Sequence, residues 1–91
     1  MGNMETTVYI QDTCLYCHRQ IDWMDQKGYA FVTKEVANPE HREEFFEHGA
    51  TVTPLTVVIA ADGEVASVQG FQRQELENLL EEKKLNFFNR L

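Results

Sequence analysis

The segment Leu55-Thr56-Val57-Val58-Ile59-Ala60 limits what this chain can become more than any other. It is almost continuously apolar and follows directly on Pro54, the pattern of a strand buried on both faces. Proline has no N–H for a sheet ladder and is tolerated only where such a strand begins, so Pro54 marks its start. Asp62-Gly63 is a hairpin turn signal, and Glu64 to Gln69 is expected to return antiparallel at an edge. The chain has 91 residues, 43% of them apolar with six Phe and one Trp, enough to fill one modest core, so a single domain is expected over 1–91.

Upstream, Thr6-Thr7-Val8-Tyr9-Ile10-Gln11 is β-branched and aromatic and reads as a strand that stops at Asp12-Thr13. Cys17, Ile21, Met24 and Gly28 then recur at intervals of one helical face, with Gly28 placed to end the helix. Tyr29 to Val36 reads as a second strand. Asn38-Pro39 gives a capping residue and a proline at the first helical position of a helix running to about His48 and closed by Gly49. The glutamates of that helix, Glu40, Glu43, Glu44 and Glu47, are expected to be mostly a solvated face, with His41 and His48 solvated as well. After the hairpin, Gly70-Phe71 breaks the strand, and a last helix from about Gln72 sets Leu76, Leu79, Leu80 and Lys83 on one stripe. The resulting order is β-α-β-α-β-β-α, an α/β arrangement with a crossover helix between parallel strands and a terminal hairpin plus helix.

Charge narrows the partners. Fifteen acidic against eight basic residues give a formal charge of −7, which repels a phosphate backbone or an anionic membrane surface, so neither nucleic acid nor membrane is expected. The first residues show no positive n-region and no apolar run, and nowhere do about 18 apolar residues follow one another. A cytoplasmic monomer is the expectation.

Only two cysteines occur, in Cys14-Leu15-Tyr16-Cys17, where the first strand delivers the chain into the first helix. Two cysteines cannot build the multi-bridge framework of a small secreted domain, so a close pair points to chemistry. Thiol–disulfide exchange needs one accessible thiolate and a second thiol close enough to resolve the mixed disulfide. At a helix start the first sulfur meets unpaired N–H groups and the positive end of the dipole, while the second lies one turn inside and is shielded. A helix terminus contributes about 0.3–2 kcal/mol, which lowers a thiol pKa by about 0.2–1.5 units. An ordinary cysteine with pKa about 8.5 is only about 3% thiolate at pH 7, so further N–H and S–H donors are required. Asp12 opposes the thiolate unless it points to solvent.

Other readings of the pair are weaker. Cys14 to His18 matches the C-x-x-C-H pattern of c-type haem attachment, yet the first helix would bury the pair instead of opening it. Two thiolates with His18, His41 or His48 lack the spacing of a zinc finger, and no metal ligand set is expected. A module holding an iron–sulfur cluster or metal through Cys14, or a redox sensor without turnover, remains the alternative to an enzyme.

Asp12-Thr13-Cys14-Leu15-Tyr16-Cys17-His18-Arg19 resembles the active-site segment of the glutaredoxins, with Leu15 where the family usually has proline. Thr51-Val52-Thr53-Pro54 is similar to their Thr-Val-Pro loop with one residue added or shifted. The resemblance implies a thioredoxin fold with a four-stranded mixed sheet and three helices. It implies a dithiol disulfide reductase in which Cys14 attacks and Cys17 resolves. It further implies that Pro54 is cis beside the nucleophile, and that the Thr53 backbone holds an extended substrate like an added strand. Gln11 stands where the family usually carries a lysine or arginine that pairs with a glutathione carboxylate. Gln69-Gly70-Phe71-Gln72-Arg73 stands where many members carry Gly-Gly-x-Asp-Asp. The Gly70-Phe71 step is more similar to the Ser-Gly-Phe segment of glutaredoxin-like redoxins, which take electrons from thioredoxin reductase and serve ribonucleotide reductase. The substrate-binding residues expected are therefore Gln11, Thr13, Tyr16, Thr53, Pro54, Gly70 and Phe71. The partners expected are a disulfide-bearing protein or small thiol and thioredoxin reductase, with no bound cofactor and glutathione as the alternative co-substrate. Trp23 and Met24 are expected in the core or on the helix surface, Arg73 either to meet an anionic substrate group or to stand on a solvated first turn, and Phe87-Phe88 packed or at a self-association patch.

Overall fold

The structure, a computed structural model, describes residues 4–89, with side chains described through residue 81. Its elements are β1 (Glu5–Ile10), α1 (Leu15–Lys27), β2 (Val32–Glu35), α2 (Pro39–Glu47), β3 (Leu55–Ile59), β4 (Val65–Gln69) and α3 (Arg73–Asn89). The strands form one sheet of order β2-β1-β3-β4, in which β2 runs parallel to β1, and β3 is antiparallel to both β1 and β4.

The apolar run behaves as its pattern requires. Leu55, Thr56, Val57 and Val58 are all buried, and only Ile59, at the end next to the turn, is exposed. Alternation along the strand sends Val58 to one face and Leu55 and Val57 to the other. On the first face Val8, Ile10, Val58 and Val68 meet Cys17, Trp23 and Met24 of α1 and Leu76 and Leu80 of α3. On the second, Tyr9, Leu55 and Val57 meet Val36, Phe45 of α2 and Ala50. Burying each such aliphatic side chain is worth about 1.5–3 kcal/mol, so a strand with core on both sides anchors the sheet. The hairpin closes at Gly63 with φ 91°, where Gly63 N–H donates to the Ala60 carbonyl at 2.8 Å and Glu64 N–H to Asp62 Oδ1 at 3.0 Å.

Helix ends follow their signals. Gly28 adopts φ 78°, and the Tyr29 N–H donates back to the Met24 carbonyl at 3.1 Å. That closing bond commits Tyr29, so β2 starts at Val32 and not at Tyr29 as the β-branched and aromatic run suggests. Tyr29 instead packs edge-on against Trp23 and donates its hydroxyl to Glu81 at 3.0 Å. Asn38 caps α2 through Glu40 N–H at 2.9 Å with Pro39 in the first turn.

In α2, Glu40, Glu43 and Glu47 are exposed, while Glu44 is half-buried and accepts from Tyr9 Oη and from Lys34 Nζ, each at 2.8 Å. His41, expected to be solvated, is half-buried too, with its Nδ1 buried and without a partner. Bonds from Lys34 and then Tyr9 hold the Glu44 carboxyl below its ordinary range. Burial and then the bond to Glu44 push Tyr9 well above its ordinary value.

Candidate functional site: the Cys14–Cys17 pair and its flanking loops

β1 ends at Ile10, and the chain turns through Gln11 to Thr13, closed by the Cys14 N–H donating to the Gln11 carbonyl at 3.1 Å. Cys14 itself is the N-cap of α1, with extended backbone, and its Sγ accepts from the Cys17 N–H at 3.1 Å. The capping position, normally taken by an oxygen acceptor, is thus filled by sulfur, which puts the helix's unpaired N–H groups at the sulfur atom. No acidic residue lies in the first turn of α1 to offset this. Asp12 is exposed, and its carbonyl oxygen is 2.7 Å from His18 Nε2.

Cys14 and Cys17 are in disulfide contact with Cα atoms 5.2 Å apart, inside the roughly 4.4–6.8 Å span of protein disulfides. Their environments differ. Cys14 is partly exposed, whereas Cys17 has no exposed surface and belongs to the core under α1. An attacking sulfur has to be reached from outside and a resolving sulfur does not, and the helix register alone creates that asymmetry.

The loop before β3 closes the site from the other side. The Thr53–Pro54 peptide bond is cis, Pro54 is buried, and the Thr53 carbonyl oxygen lies 3.7 Å from Cys14 Sγ. Thr53 Oγ1 donates to Gln11 Oε1 at 3.4 Å, and Gly70 N–H donates to the Pro54 carbonyl at 2.8 Å. Thr51 N–H bonds Gln69 Oε1 at 2.9 Å, holding the same loop to the end of β4. A groove of about 670 Å³ opens beside it, lined by Gln11 to Thr13, Glu35 to Ala37, Arg42, Phe45, Phe46 and Thr51 to Thr53.

Of the residues singled out in the sequence, Gln11, Thr13, Cys14, Cys17, Thr53, Pro54 and Gly70 come together here. Tyr16 is exposed on the first turn of α1, with the Arg19 guanidinium 5.8 Å from its ring centroid. Phe71 does not join the groove. It packs against Trp23, with ring centroids 5.7 Å apart, on the α1 and α3 face of the sheet. Arg42 and Phe46 line the groove although no motif marks them, because it is assembled from four separate segments. Gln20 carried no signal either, yet it is fully buried one turn beyond Cys17 and donates to Thr56 Oγ1 at 2.6 Å. The side chains of Phe87 and Phe88 lie outside the described residues.

Among the described residues, no three His, Cys, Asp or Glu side chains gather as a metal site, and no helix is long and apolar enough to cross a membrane. No protein-family profile and no curated protein sequence matches the chain. Solved structures do match. The glutaredoxin-like protein NrdH-redoxin from Escherichia coli is 30% identical, over 82% of this chain and 93% of that one, with a TM-score of 0.66. The short form of spinach chloroplast thioredoxin f is 15% identical over 91% of this chain and 78% of that one, with a TM-score of 0.77. A thioredoxin of Fasciola hepatica is 17% identical over 90% and 82%, with a TM-score of 0.74. The two thioredoxins bear on the architecture, and the redoxin on the family.

Proposed function

The chain belongs to the glutaredoxin-like family of the thioredoxin fold and is a thiol–disulfide oxidoreductase, and we propose that it is reduced by thioredoxin reductase and passes the electrons to protein or small-molecule disulfides. The observation that carries this reading is the asymmetry of the pair. Cys14 is a partly exposed helix N-cap receiving the Cys17 N–H, and Cys17 is wholly buried one turn inside.

The cycle we propose starts from the reduced dithiol. The Cys14 thiolate attacks one sulfur of the substrate disulfide, forming a Cys14–substrate bond and expelling the other substrate sulfur as a thiolate. Cys17 then loses its proton to solvent and attacks Cys14 Sγ, breaking the mixed bond and releasing the second substrate thiolate. Two electrons have moved to the substrate, and a Cys14–Cys17 disulfide remains, which the 5.2 Å separation of the two Cα atoms accommodates. An extended substrate segment lies along the Thr53 backbone, beside the attacking sulfur. Gln11, Thr13, Pro54 and Gly70 shape that edge, and Tyr16 stands exposed on the first turn of α1 between the two cysteines.

The choice of donor rests on what faces Thr53. Gln11 is neutral and already bonded to Thr53 Oγ1, so it offers no cation to a glutathione carboxylate. The similarity to a redoxin with a thioredoxin-like activity profile supports the same donor. A reducing compartment such as the cytoplasm suits a dithiol that must be recycled. The test supplies oxidised protein and NADPH with either thioredoxin reductase or glutathione plus glutathione reductase. NADPH consumption through thioredoxin reductase is the expected result. Consumption through glutathione alone contradicts the donor assignment.

A further inference from the structure

Basic side chains are few, and their use is uneven. Lys27 pairs with Glu77 at 3.1 Å and Lys34 with Glu44 at 2.8 Å. Among the described residues Arg19, Arg42 and Arg73 pair with no carboxylate. Two of these, Arg19 and Arg73, share a second groove of about 290 Å³ with Asp22, Trp23, Gln26 and Phe71.

Both guanidiniums are held by aromatic rings. Arg19 lies 5.8 Å from the centroid of Tyr16, which stands between the two cysteines, and Arg73 lies 5.8 Å from the centroid of Trp23. Such stacking orders a guanidinium through its face while leaving its edge donors for a carboxylate. Asp22 offsets only one of the two charges, so the groove keeps an excess of positive charge on a chain whose formal charge is −7. It lies on the α1 and α3 side of the sheet, where Cys14 also packs, while the Thr53 groove lies on the α2 side and its Thr53 carbonyl is 3.7 Å from Cys14 Sγ. The Gly70 bond to the Pro54 carbonyl ties the two sides together.

We propose that Arg19 and Arg73 form a docking groove for an acidic side chain of the polypeptide whose disulfide Cys14 attacks, so that the protein selects partners carrying Asp or Glu close to the cystine. This rests on the oxidoreductase reading and adds its partner chemistry. The acidic remainder of the surface repels such a partner in other orientations, and the groove admits it in the orientation that brings its disulfide to Cys14.

The test uses three disulfide-bridged peptides identical except for Glu, Gln or Lys beside the cystine, together with an uncharged small disulfide and oxidised glutathione. The wild-type protein is expected to show kcat/KM about tenfold higher for the Glu than for the Lys peptide at low salt, shrinking as salt is added. Arg19→Gln with Arg73→Gln is expected to lose about five- to tenfold on the Glu peptide, through KM, while reducing the uncharged disulfide at the wild-type rate. Arg19→Lys with Arg73→Lys keeps most of the preference. Equal rates on the three peptides, a preference that survives the Gln variant, or one lost as fully in the Lys variant overturns the proposal. An equal loss on oxidised glutathione assigns the groove to small anions and overturns it as well. A wild-type protein that reduces none of these disulfides contradicts the oxidoreductase reading itself, which separates the two failures.

Discussion

The Thr53 carbonyl oxygen lies 3.7 Å from Cys14 Sγ, although 39 positions separate the two residues in the chain. One belongs to the loop that enters the central strand β3 and the other caps the helix that leaves its neighbour β1. The pairing of β1 with β3, from Glu5 opposite Ile59 to Tyr9 opposite Leu55, brings the two together. The site is therefore a consequence of sheet register, and its two halves stand or fall with the fold.

Selective alkylation of the reduced protein checks the asymmetry of the pair. Cys14 is partly exposed and Cys17 has no exposed surface. Under limiting iodoacetamide at neutral pH, peptide mass analysis is expected to find carbamidomethyl on Cys14 in more than about tenfold excess over Cys17, following thiolate character and access.

Replacing Glu44 tests the support on the α2 side of the sheet. Its carboxyl is held below the ordinary range by Lys34 and then Tyr9, so the folded state favours the charged form. That contribution is present above the unfolded value near 4.3 and disappears as pH falls through the lower folded value. Chemical denaturation should show Glu44→Gln less stable than wild type at pH 7, with the two curves converging as acid is added below about pH 4.

Tyr29 makes the alkaline counterpart. Burial, followed by its bond to Glu81, pushes the phenol up to about 12. A raised folded value means that this stabilisation is whole below the unfolded value near 10 and is lost as pH rises through 12. In Tyr29→Phe the late-rising part of the phenolate absorbance is expected to diminish, and the loss of stability above about pH 10 to become shallower.

The packing of α3 under the active-site helix is open to a direct test at Leu76. It is fully buried in the cluster that also holds Cys17, Trp23 and Met24. Leu76→Ala is expected to destabilise the protein by about 2–5 kcal/mol in urea unfolding.

Much of this arrangement could be read from residue patterns, and the exceptions have identifiable causes. The buried β3, the Asp62-Gly63 turn and the Asn38-Pro39 start each rest on a local signal that tertiary structure leaves intact. Tyr29 to Phe31 carries strand propensity, but the left-handed cap at Gly28 claims the Tyr29 N–H and delays β2 to Val32. Gln20 sits on the buried stripe of α1 against its polarity, and its amide N–H groups find Met24 Sδ one turn on and Thr56 Oγ1, 36 positions later. Phe71 follows Gly70 in sequence, yet the turn at Gly70 sends it to Trp23 on the far side of the sheet from the Thr53 groove. Arg42 reaches that groove from the middle of an acidic helix, where its neighbours in sequence reveal nothing of the loop it faces.

The most direct test of the central claim is to incubate reduced Cys17→Ser protein with a disulfide-bridged peptide and locate the adduct by mass spectrometry. A stable mixed disulfide at Cys14 is the predicted result, absent from Cys14→Ser protein and discharged within the assay by wild type. Turnover of the peptide by Cys14→Ser protein at the wild-type rate would contradict the account.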